Sequence, residues 1–224
     1  KSYDGLGSWA RVADLQFWGH EEGDESVDVV HRSVPNKPGQ QQLAVYWDAN
    51  DSNSYSFADS SNVYDLSGNG VTAEIYGAKG FNAKYNSWIL NNNNVDYIVA
   101  ASGFTHGTGA WAHSVSTWMY RYPTTSTTNQ HVFRFGASTT GTGCAARWEY
   151  ISNQWMMRYY FFGNDVVFYL PEIGQSQGNW IHITATYDGG SDSGVVIGSY
   201  GLARKLYING VPCKVRSTDS PGTL

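Results

Sequence analysis

Polar side chains at alternate positions of two short segments carry groups that could bind an anion and transfer a proton. Arg147 and Glu149 are two residues apart, and the same spacing separates Arg158 and Tyr160. Because alternate residues of a strand point to the same side, each pair would share a face. Eliminative cleavage of an acidic polysaccharide needs a cation that neutralises the uronate carboxylate and a Tyr or His that removes the C5 proton. If these faces coincide with that of His182, we expect catalytic roles for Tyr160, His182 and Glu149.

Binding without cleavage is an alternative use of the same side chains. Arg147 and Arg158 carry planar guanidinium groups, which recognise the carboxylates of uronic acids through paired hydrogen bonds. Further candidates for a cation, or for a ring that stacks on a sugar, are Arg121, His131, Arg134 and Trp118. A polar sheet face held together by Arg–Glu pairs, with no ligand, is the third interpretation.

The turn from Asp65 to Gly70 offers oxygen atoms to a metal ion. Asp65 supplies a carboxylate, Asn69 a side-chain amide, and the glycine-rich backbone several carbonyls. Calcium prefers hard oxygen ligands of this kind. The alternative is an Asx-turn, in which the Asp65 carboxylate accepts hydrogen bonds from its own backbone.

The two cysteines, Cys144 and Cys213, are too few to complete a tetrahedral zinc site. We predict a disulfide between them, which would close a loop of about 70 residues and add roughly 4 kcal/mol to stability in the chain-entropy model. Two buried thiols are the alternative.

Charge and hydropathy exclude two classes of function. The net charge is −5 and the sequence has no run of Lys or Arg, so it lacks the basic surface that phosphate contacts need, and nucleic acid is not an expected partner. No apolar stretch approaches the roughly 18 residues that a spanning helix requires, so membrane insertion is not expected. The sequence starts at Lys1 without a signal peptide, and we interpret it as part of a longer protein with further domains.

Short apolar segments separated by Gly, Pro and Asn turns are the elements that would position these side chains. No segment keeps a helical apolar period over three turns, which favours an all-β sandwich or barrel. The clearest strand candidates are 43–47, 114–121, 131–135, 146–151, 155–162, 166–170, 180–187 and 205–208. We predict hairpins at Ser152-Asn153-Gln154 and at Asn209-Gly210. We expect residues 1–42 to form an N-terminal strand and linker, and residues 43–224 to form the sandwich domain.

Four motifs in order resemble the concanavalin A-like lectin/glucanase superfamily, and within it laminin-G-like domains. The likeness covers roughly residues 43–215. The motifs are Tyr64-Asp65-Leu66-Ser67-Gly68-Asn69-Gly70, Ser114-Val115-Ser116-Thr117-Trp118, Gly178-Asn179-Trp180-Ile181-His182-Ile183-Thr184-Ala185-Thr186-Tyr187-Asp188-Gly189 and Leu206-Tyr207-Ile208-Asn209-Gly210. The resemblance implies an antiparallel two-sheet jelly-roll sandwich, glycan recognition or cleavage, and a calcium ion near one edge.

The resemblance also has a departure at the end of the chain. Family members close with a strand of the type Gly-x-Ile-Asp-x-x-Arg, which does not follow here before Leu224, whereas Arg11–Trp18 is similar to that strand. We therefore expect the N-terminal segment to supply the closing strand, with Asp14 as a second carboxylate for calcium. The segment Trp9–Pro38 is similar to linkers in multidomain surface proteins of large DNA viruses that infect algae.

These observations lead to one expected function and two alternatives. We expect a carbohydrate-recognition module of a larger extracellular or virion-associated protein, with a cell-wall or surface polysaccharide as its partner. The alternative is a lyase or glycoside hydrolase that degrades a host cell wall, and the second alternative is a structural adhesion domain. The fold hosts all three, and the sequence leaves open whether the protein is an enzyme.

Overall fold

The computed structural model describes residues 43–56, 59, 61–77, 80–90, 96–100, 111–123, 125–136 and 143–219. The predicted N-terminal strand, the linker and Asp14 lie outside the described residues, so the closing-strand hypothesis and the boundary at residue 42 stay predictions. The chain divides into two compact units, Lys1–Phe104 and Thr105–Leu224. We call them the N-terminal and the C-terminal unit.

The N-terminal unit contains short antiparallel strands around a small apolar core. The described strands are β1 (Asn62–Val63), β2 (Ala73–Tyr76), β3 (Gly80–Asn82), β4 (Ser87–Ile89) and β5 (Tyr97–Ala100), in the sheets β1-β2-β5 and β3-β4. Val63, Ala73 and Ile75 point inward and are buried with Tyr55, whereas the alternating residue Glu74 is only half-buried. The period-2 pattern of β2 therefore separates its core side from its outer side.

The C-terminal unit contains two larger antiparallel sheets. Its strands are β6 (His113–Tyr120), β7 (Gln130–Gly136), β8 (Gly143–Ile151), β9 (Gln154–Tyr160), β10 (Asp165–Tyr169), β11 (Trp180–Tyr187), β12 (Arg204–Ile208), β13 (Val211–Pro212) and β14 (Val215–Asp219). In the described part of the chain the only helix is the single turn α1 (Glu172–Gln175). Sheet I has the order β14-β10-β9-β8-β7, and sheet II has the order β13-β12-β11-β6.

Sheets I and II share one hydrophobic core. Trp148, Tyr159 and Phe168 come from sheet I, and Ile181 and Leu206 come from sheet II, each with 1% or less of its surface exposed. Burying a side chain of this size contributes roughly 1.5–3 kcal/mol. The predicted all-β class is confirmed, with a β-sandwich-like architecture.

Both predicted hairpins are confirmed. Strands β8 and β9 pair across Ser152 and Asn153, whose φ angles are 51° and 61°. Strands β12 and β13 pair across Asn209 and Gly210, with φ angles of 51° and 77°. Tight hairpin turns need positive φ at both central positions, which Asn and Gly adopt at little cost.

The cysteines correct one prediction, because both are free and buried. The Sγ atom of Cys144 lies 3.5 Å from Nε2 of His113, and that of Cys213 lies 4.0 Å from the carbonyl oxygen of Val211. Each sulfur thus has its own partner, and no Cys144–Cys213 bridge is formed. Burial raises the pKa of both thiols to about 12, so they are inert, small apolar side chains rather than nucleophiles.

Candidate functional site

The outer face of sheet I brings together most of the polar residues that the sequence singled out. Trp148 on β8 and Tyr159 on β9 point into the core. The residues that alternate with them along the two strands therefore point away from it. Arg147 pairs with Arg158 across β8 and β9, and with His131 across β8 and β7. We call this surface the arginine face. Its polar members are His131, Arg134, Arg147, Glu149, Arg158, Tyr160 and Asp165.

An ion-pair network covers the centre of the arginine face. Nη2 of Arg147 donates to Oε1 of Glu149 at 3.0 Å, and Nε of Arg158 donates to the other oxygen of Glu149. Nη1 of Arg158 also donates to Oδ2 of Asp165 at 3.0 Å. Each oxygen of Glu149 thus receives a guanidinium group, so Glu149 holds the two arginines in place and does not face a substrate.

A hydrogen-bonded His–Tyr pair lies beside this network. Nε2 of His131 is 2.8 Å from Oη of Tyr160. The guanidinium of Arg147 lies over the Tyr160 ring, with 5.0 Å between its Cζ atom and the ring centroid. Arg134 follows on the same strand as His131 and lies over the Phe162 ring at 5.4 Å. Two cations therefore flank the pair.

These surroundings set the protonation states of the pair. Partial desolvation of the His131 ring lowers its pKa, and the positive charges of Arg147 and Arg134 lower it further. Burial raises the pKa of Tyr160, which outweighs the opposing effect of the same two arginines. At neutral pH the imidazole is uncharged and the phenol is protonated, so the Tyr160 hydroxyl donates to Nε2 of His131.

The accessible part of the arginine face follows β7, the last strand in the order of sheet I. His131 and Arg134 are exposed, and the Arg147 side chain keeps 26% of its surface, against 16% for Arg158. Nε of Arg147 is buried and has no hydrogen-bond partner in the described part of the chain. A ligand would therefore meet His131, Arg134 and Arg147 first, whereas only 6% of the surface of Tyr160 is exposed.

The structure does not bring His182 to this face. His182 lies on β11 of sheet II, between the inward residues Ile181 and Ile183, and so points away from the shared core on the opposite side. Its Nε2 is 2.7 Å from Oγ of Ser116, and its ring centroid is 5.1 Å from that of Trp118. Trp118 and His182 are thus neighbours, on a different surface from Tyr160.

Arg121 is the clearest correction among the predicted glycan contacts. Only 3% of its surface is exposed. Its Cζ atom lies 5.0 Å and 4.1 Å from ring centroids of Trp148 and Trp155, and its Nε donates to Oε1 of Gln130 at 3.1 Å. Burial lowers its pKa to about 10. Arg121 closes one end of the core and does not reach a ligand on the surface.

Asp65 sits in the predicted turn, but hydrogen-bond donors occupy both of its oxygens. Oδ1 accepts from the backbone N–H groups of Tyr46 and Ser67 at 2.8 and 3.0 Å, and Oδ2 accepts from the Ser67 hydroxyl and the Val71 N–H at 2.6 and 3.2 Å. Asn69 turns its amide Nδ2 toward the carbonyl oxygen of Leu43, at 2.6 Å. This arrangement fits the Asx-turn and does not fit an ion at Asp65, although calcium elsewhere stays a prediction.

Comparison with protein-family models, curated proteins and solved structures gives no match. None of the described helices is long and apolar enough to cross a membrane. The arginine face and the Trp118–His182 surface are therefore the two candidate sites that the described residues offer.

The turn around Asp65 leads to a stability prediction. We expect Asp65→Asn to lower the free energy of unfolding by about 1–3 kcal/mol, because the new amide must aim an N–H group at one of the donors that the carboxylate accepts. Urea denaturation would measure it. The matched control is Asp51→Asn, since Oδ1 of Asp51 receives both the N–H and the amide of Asn53 and an amide oxygen can replace it.

The same turn predicts a dependence on pH. Burial alone would raise the pKa of Asp65, but its hydrogen bonds from Ser67, Tyr46 and Val71 outweigh burial and leave the pKa below 3.8. A lowered pKa in the folded state stabilises the fold at pH values above the unfolded value, and the contribution is lost as the pH falls through the folded value. The difference between wild type and Asp65→Asn should therefore shrink below about pH 4. A calcium-dependent rise in Tm that Asp65→Asn abolishes would contradict this description.

Proposed function

We propose that this chain is a carbohydrate-recognition module that binds an acidic polysaccharide along the β7 side of the arginine face. The observation that carries the proposal is the position of Arg134 and Arg147 on either side of the hydrogen-bonded His131–Tyr160 pair, where the face is accessible. A uronate carboxylate accepts paired hydrogen bonds from a guanidinium group, and the Tyr160 and His131 groups suit sugar hydroxyls.

The local charge supports an acidic ligand. The chain as a whole has a net charge of −5, whereas the arginine face carries Arg134, Arg147 and Arg158 against Glu149 and Asp165. With His131 uncharged, the described residues of the face have an excess of one positive charge, and β7 contributes Arg134 to it. A negatively charged polymer would be attracted to this side of an otherwise acidic protein.

The fold is consistent with the family that the motifs resemble, and we propose the concanavalin A-like jelly roll as its finer description. Three of the family-like motifs fall on β6, β11 and the β12–β13 hairpin, and these elements are neighbours in sheet II. In this proposal the module belongs to a longer extracellular or virion-surface protein and delivers that protein to a cell-wall or surface polysaccharide.

Binding to polygalacturonate and alginate would test the proposal. We expect Arg134→Ala to weaken binding about tenfold, since hydrogen bonds to charged groups contribute roughly 1.5–3 kcal/mol each, and the affinity should fall as salt rises. Arg134 is exposed, so the variant should keep its fold. The matched control is Lys205→Ala, which removes an exposed cation from sheet II. Equal loss in both variants would show that attraction is nonspecific, and no binding by the wild type to either polymer would overturn the proposal.

The His131–Tyr160 hydrogen bond favours cleavage by elimination as a second candidate. In this step the Tyr160 hydroxyl turns from Nε2 of His131 to the leaving O4 oxygen, and the freed Nε2 takes up the proton as the C5–H bond breaks, while the electron pair is delocalised onto the neighbouring carboxylate. The electron pair then forms the C4=C5 double bond as the C4–O bond breaks, and Tyr160 gives its proton to the leaving oxygen. The proton on His131 returns to the Tyr160 oxygen along their hydrogen bond, so the pair is restored without any other reactant.

Arg134 and Arg147 have a defined part in that step. Removal of the C5 proton places negative charge on the neighbouring carboxylate, and a guanidinium group held beside it stabilises this charge where it develops. Arg147 is held by Glu149, which in turn binds Arg158. In this candidate mechanism Glu149 and Arg158 are positioning residues, and His131 takes the role that the sequence assigned to His182.

A further inference from the structure

The outer face of sheet II carries a row of aromatic rings. Along β6 and just beyond its end, the alternating residues Trp118, Tyr120 and Tyr122 point away from the core, since Met119 points into it. Trp118 and Tyr122 have 46% and 53% of their surface exposed. The Tyr120 ring lies 5.1 Å from the Tyr122 ring and 5.7 Å from the Trp180 ring. The three rings therefore follow one another along the last strand of sheet II and its end, and we call them the aromatic strip.

Hydroxyl and imidazole groups border this strip. Ser116 lies two residues before Trp118, and its Oγ is 2.7 Å from Nε2 of His182. Burial lowers the pKa of His182, so the imidazole is uncharged at neutral pH and can donate at one nitrogen and accept at the other. The backbone N–H of His182 donates to Oδ1 of Asn209 at 2.7 Å, which fixes the strand that carries the ring.

The charge of this face differs from that of the arginine face. The outward residues of β6, β11 and β12 are Ser114, Ser116, Trp118, Tyr120, Trp180, His182, Thr184, Thr186, Lys205 and Tyr207. Lys205 is the one charged residue among them. The set lacks the guanidinium groups that a uronate would need. Six of its ten members are Ser, Thr, His or Lys, which makes the face too polar for the core of a permanent protein interface.

We propose that this strip, Trp118, Tyr120 and Tyr122 with His182 beside it, is a second glycan site, which binds an uncharged polysaccharide by stacking on its sugar rings. Aromatic rings bind the apolar faces of sugars, and the bordering polar groups bind their hydroxyls. Alternate side chains on a strand are about 6.8 Å apart, so three rings in a row suit successive units of an extended chain rather than one free sugar. The site lies on the side of the sandwich opposite the arginine face and does not depend on it.

Two sites on opposite faces would let the module bind two different polysaccharides at the same time. An acidic chain on the arginine face and an uncharged chain on the aromatic strip would be held by one rigid domain. Each bound chain raises the effective concentration of the module at the other, provided that both chains occur in the same matrix. The predicted ligand of the intact protein is therefore a mixed matrix of charged and uncharged polysaccharides.

Affinity electrophoresis in gels that contain an uncharged polymer would test the strip. The probes are hydroxyethylcellulose, laminarin and galactomannan, with polygalacturonate as the charged comparison. We expect at least one uncharged polymer to retard the wild type, and Trp118→Ala to weaken that retardation tenfold or more, because the variant loses the exposed ring on which a sugar unit would stack. Trp118→Phe should keep part of the binding.

The controls separate this site from the arginine face. Tyr200→Ala removes a ring that is 51% exposed but lies in the loop between β11 and β12, and it should bind like the wild type. Arg134→Ala should keep its retardation by uncharged polymer, and Trp118→Ala should keep its binding to polygalacturonate. Unchanged far-UV circular dichroism would show that Trp118→Ala is folded. The proposal is overturned if no uncharged polymer retards the wild type, or if Trp118→Ala and Tyr200→Ala behave alike.

Discussion

Asp192→Ala is expected to lower the free energy of unfolding of the C-terminal unit by about 3–5 kcal/mol, because it leaves a buried guanidinium without its counter-charge. Arg204 has no exposed surface and Asp192 has 2%. The carboxylate of Asp192 binds Nε of Arg204 and also accepts the Arg204 backbone N–H at 3.1 Å. Urea denaturation followed by tryptophan fluorescence would measure the change.

The position of Arg204 explains why the effect should be large. It begins β12 of sheet II, yet its Nη1 donates to the carbonyl oxygens of Tyr159 and Asn164, at 2.9 and 2.6 Å, and its Nη2 donates to Oδ1 of Asn164 at 2.7 Å. Tyr159 is on β9 of sheet I, so the guanidinium links the two sheets. Without Asp192 these bonds must hold a charge that burial disfavours.

The matched control is Asp188→Ala. Asp188 is an exposed aspartate in the same loop, and its Oδ1 accepts one backbone N–H, from Gly190 at 2.8 Å. Loss of that bond should cost no more than about 1 kcal/mol. If Asp192→Ala and Asp188→Ala have the same urea midpoint, the buried pair does not hold the sheets together.

The strands of the C-terminal unit were largely predictable from the sequence. The segment Trp180–Tyr187 alternates apolar and polar residues, and the structure has β11 with the same limits. The Asn209-Gly210 hairpin is predictable because Asn-Gly favours positive φ at both central positions. The hairpin at Ser152-Asn153-Gln154 is predictable because a short polar segment separates two strand-like segments. Alternation fixes the side of a sheet on which a residue lies, but it does not say to which sheet a strand belongs. Alternation therefore predicts that both His182 and Tyr160 point away from the core. It does not predict that they lie on opposite surfaces, because β11 and β9 belong to different sheets.

The His131–Tyr160 pair could not be predicted because of an irregularity in β7. The register between β7 and β8 shifts between His131 and Phe133, so His131 and Arg134 point to the same face although they are three residues apart. Strict alternation would place them on opposite faces. A bulge re-aims a side chain without a clear sequence signal, and only the register shows that His131 joins the arginine face.

The burial of Arg121 could be predicted from strand alternation, although its charge suggests a position on the surface. It continues the inward series of Thr117 and Met119 on β6, so the period-2 rule places it in the core. Arginine is rarely buried without a partner, which favours a surface position when type alone is considered. The faces of Trp148 and Trp155 resolve the conflict, because cation–π contacts partly replace the water that the guanidinium loses.

Tyr160→Phe is expected to abolish cleavage of polygalacturonate or alginate, with a loss of about 10²- to 10⁴-fold in rate, if the second candidate function holds. The change removes the proton that the leaving oxygen receives and keeps the ring in place, of which only 6% is exposed. Binding of the polymer should persist, because Arg134 and Arg147 remain. The ultraviolet absorbance of the unsaturated uronate product would measure the rate. Affinity electrophoresis would measure the binding.

A variant on the same face serves as the control. Tyr169 points outward from β10, where it pairs with Met156, and 43% of its surface is exposed. Tyr169→Phe removes an equivalent hydroxyl outside the pair, so its rate should equal that of the wild type. His131→Gln keeps a hydrogen-bonding side chain but cannot take up the C5 proton, and it should lose activity as Tyr160→Phe does.

The pH dependence of the cleavage rate would distinguish a catalytic His131–Tyr160 pair from a purely structural one. Cleavage needs His131 uncharged and Tyr160 protonated. Since burial and the two arginines hold the pKa of His131 below 6.5, the rate should stay level through neutral pH and decline only at pH values below 6.5. Since burial raises the pKa of Tyr160 above 10.0, the alkaline decline should lie above that value. Binding should keep its affinity across the acidic limb, because protonation of His131 adds a positive charge to the face. If the wild type binds acidic polymer but forms no unsaturated product at any pH, the cleavage proposal is contradicted and the recognition proposal stands.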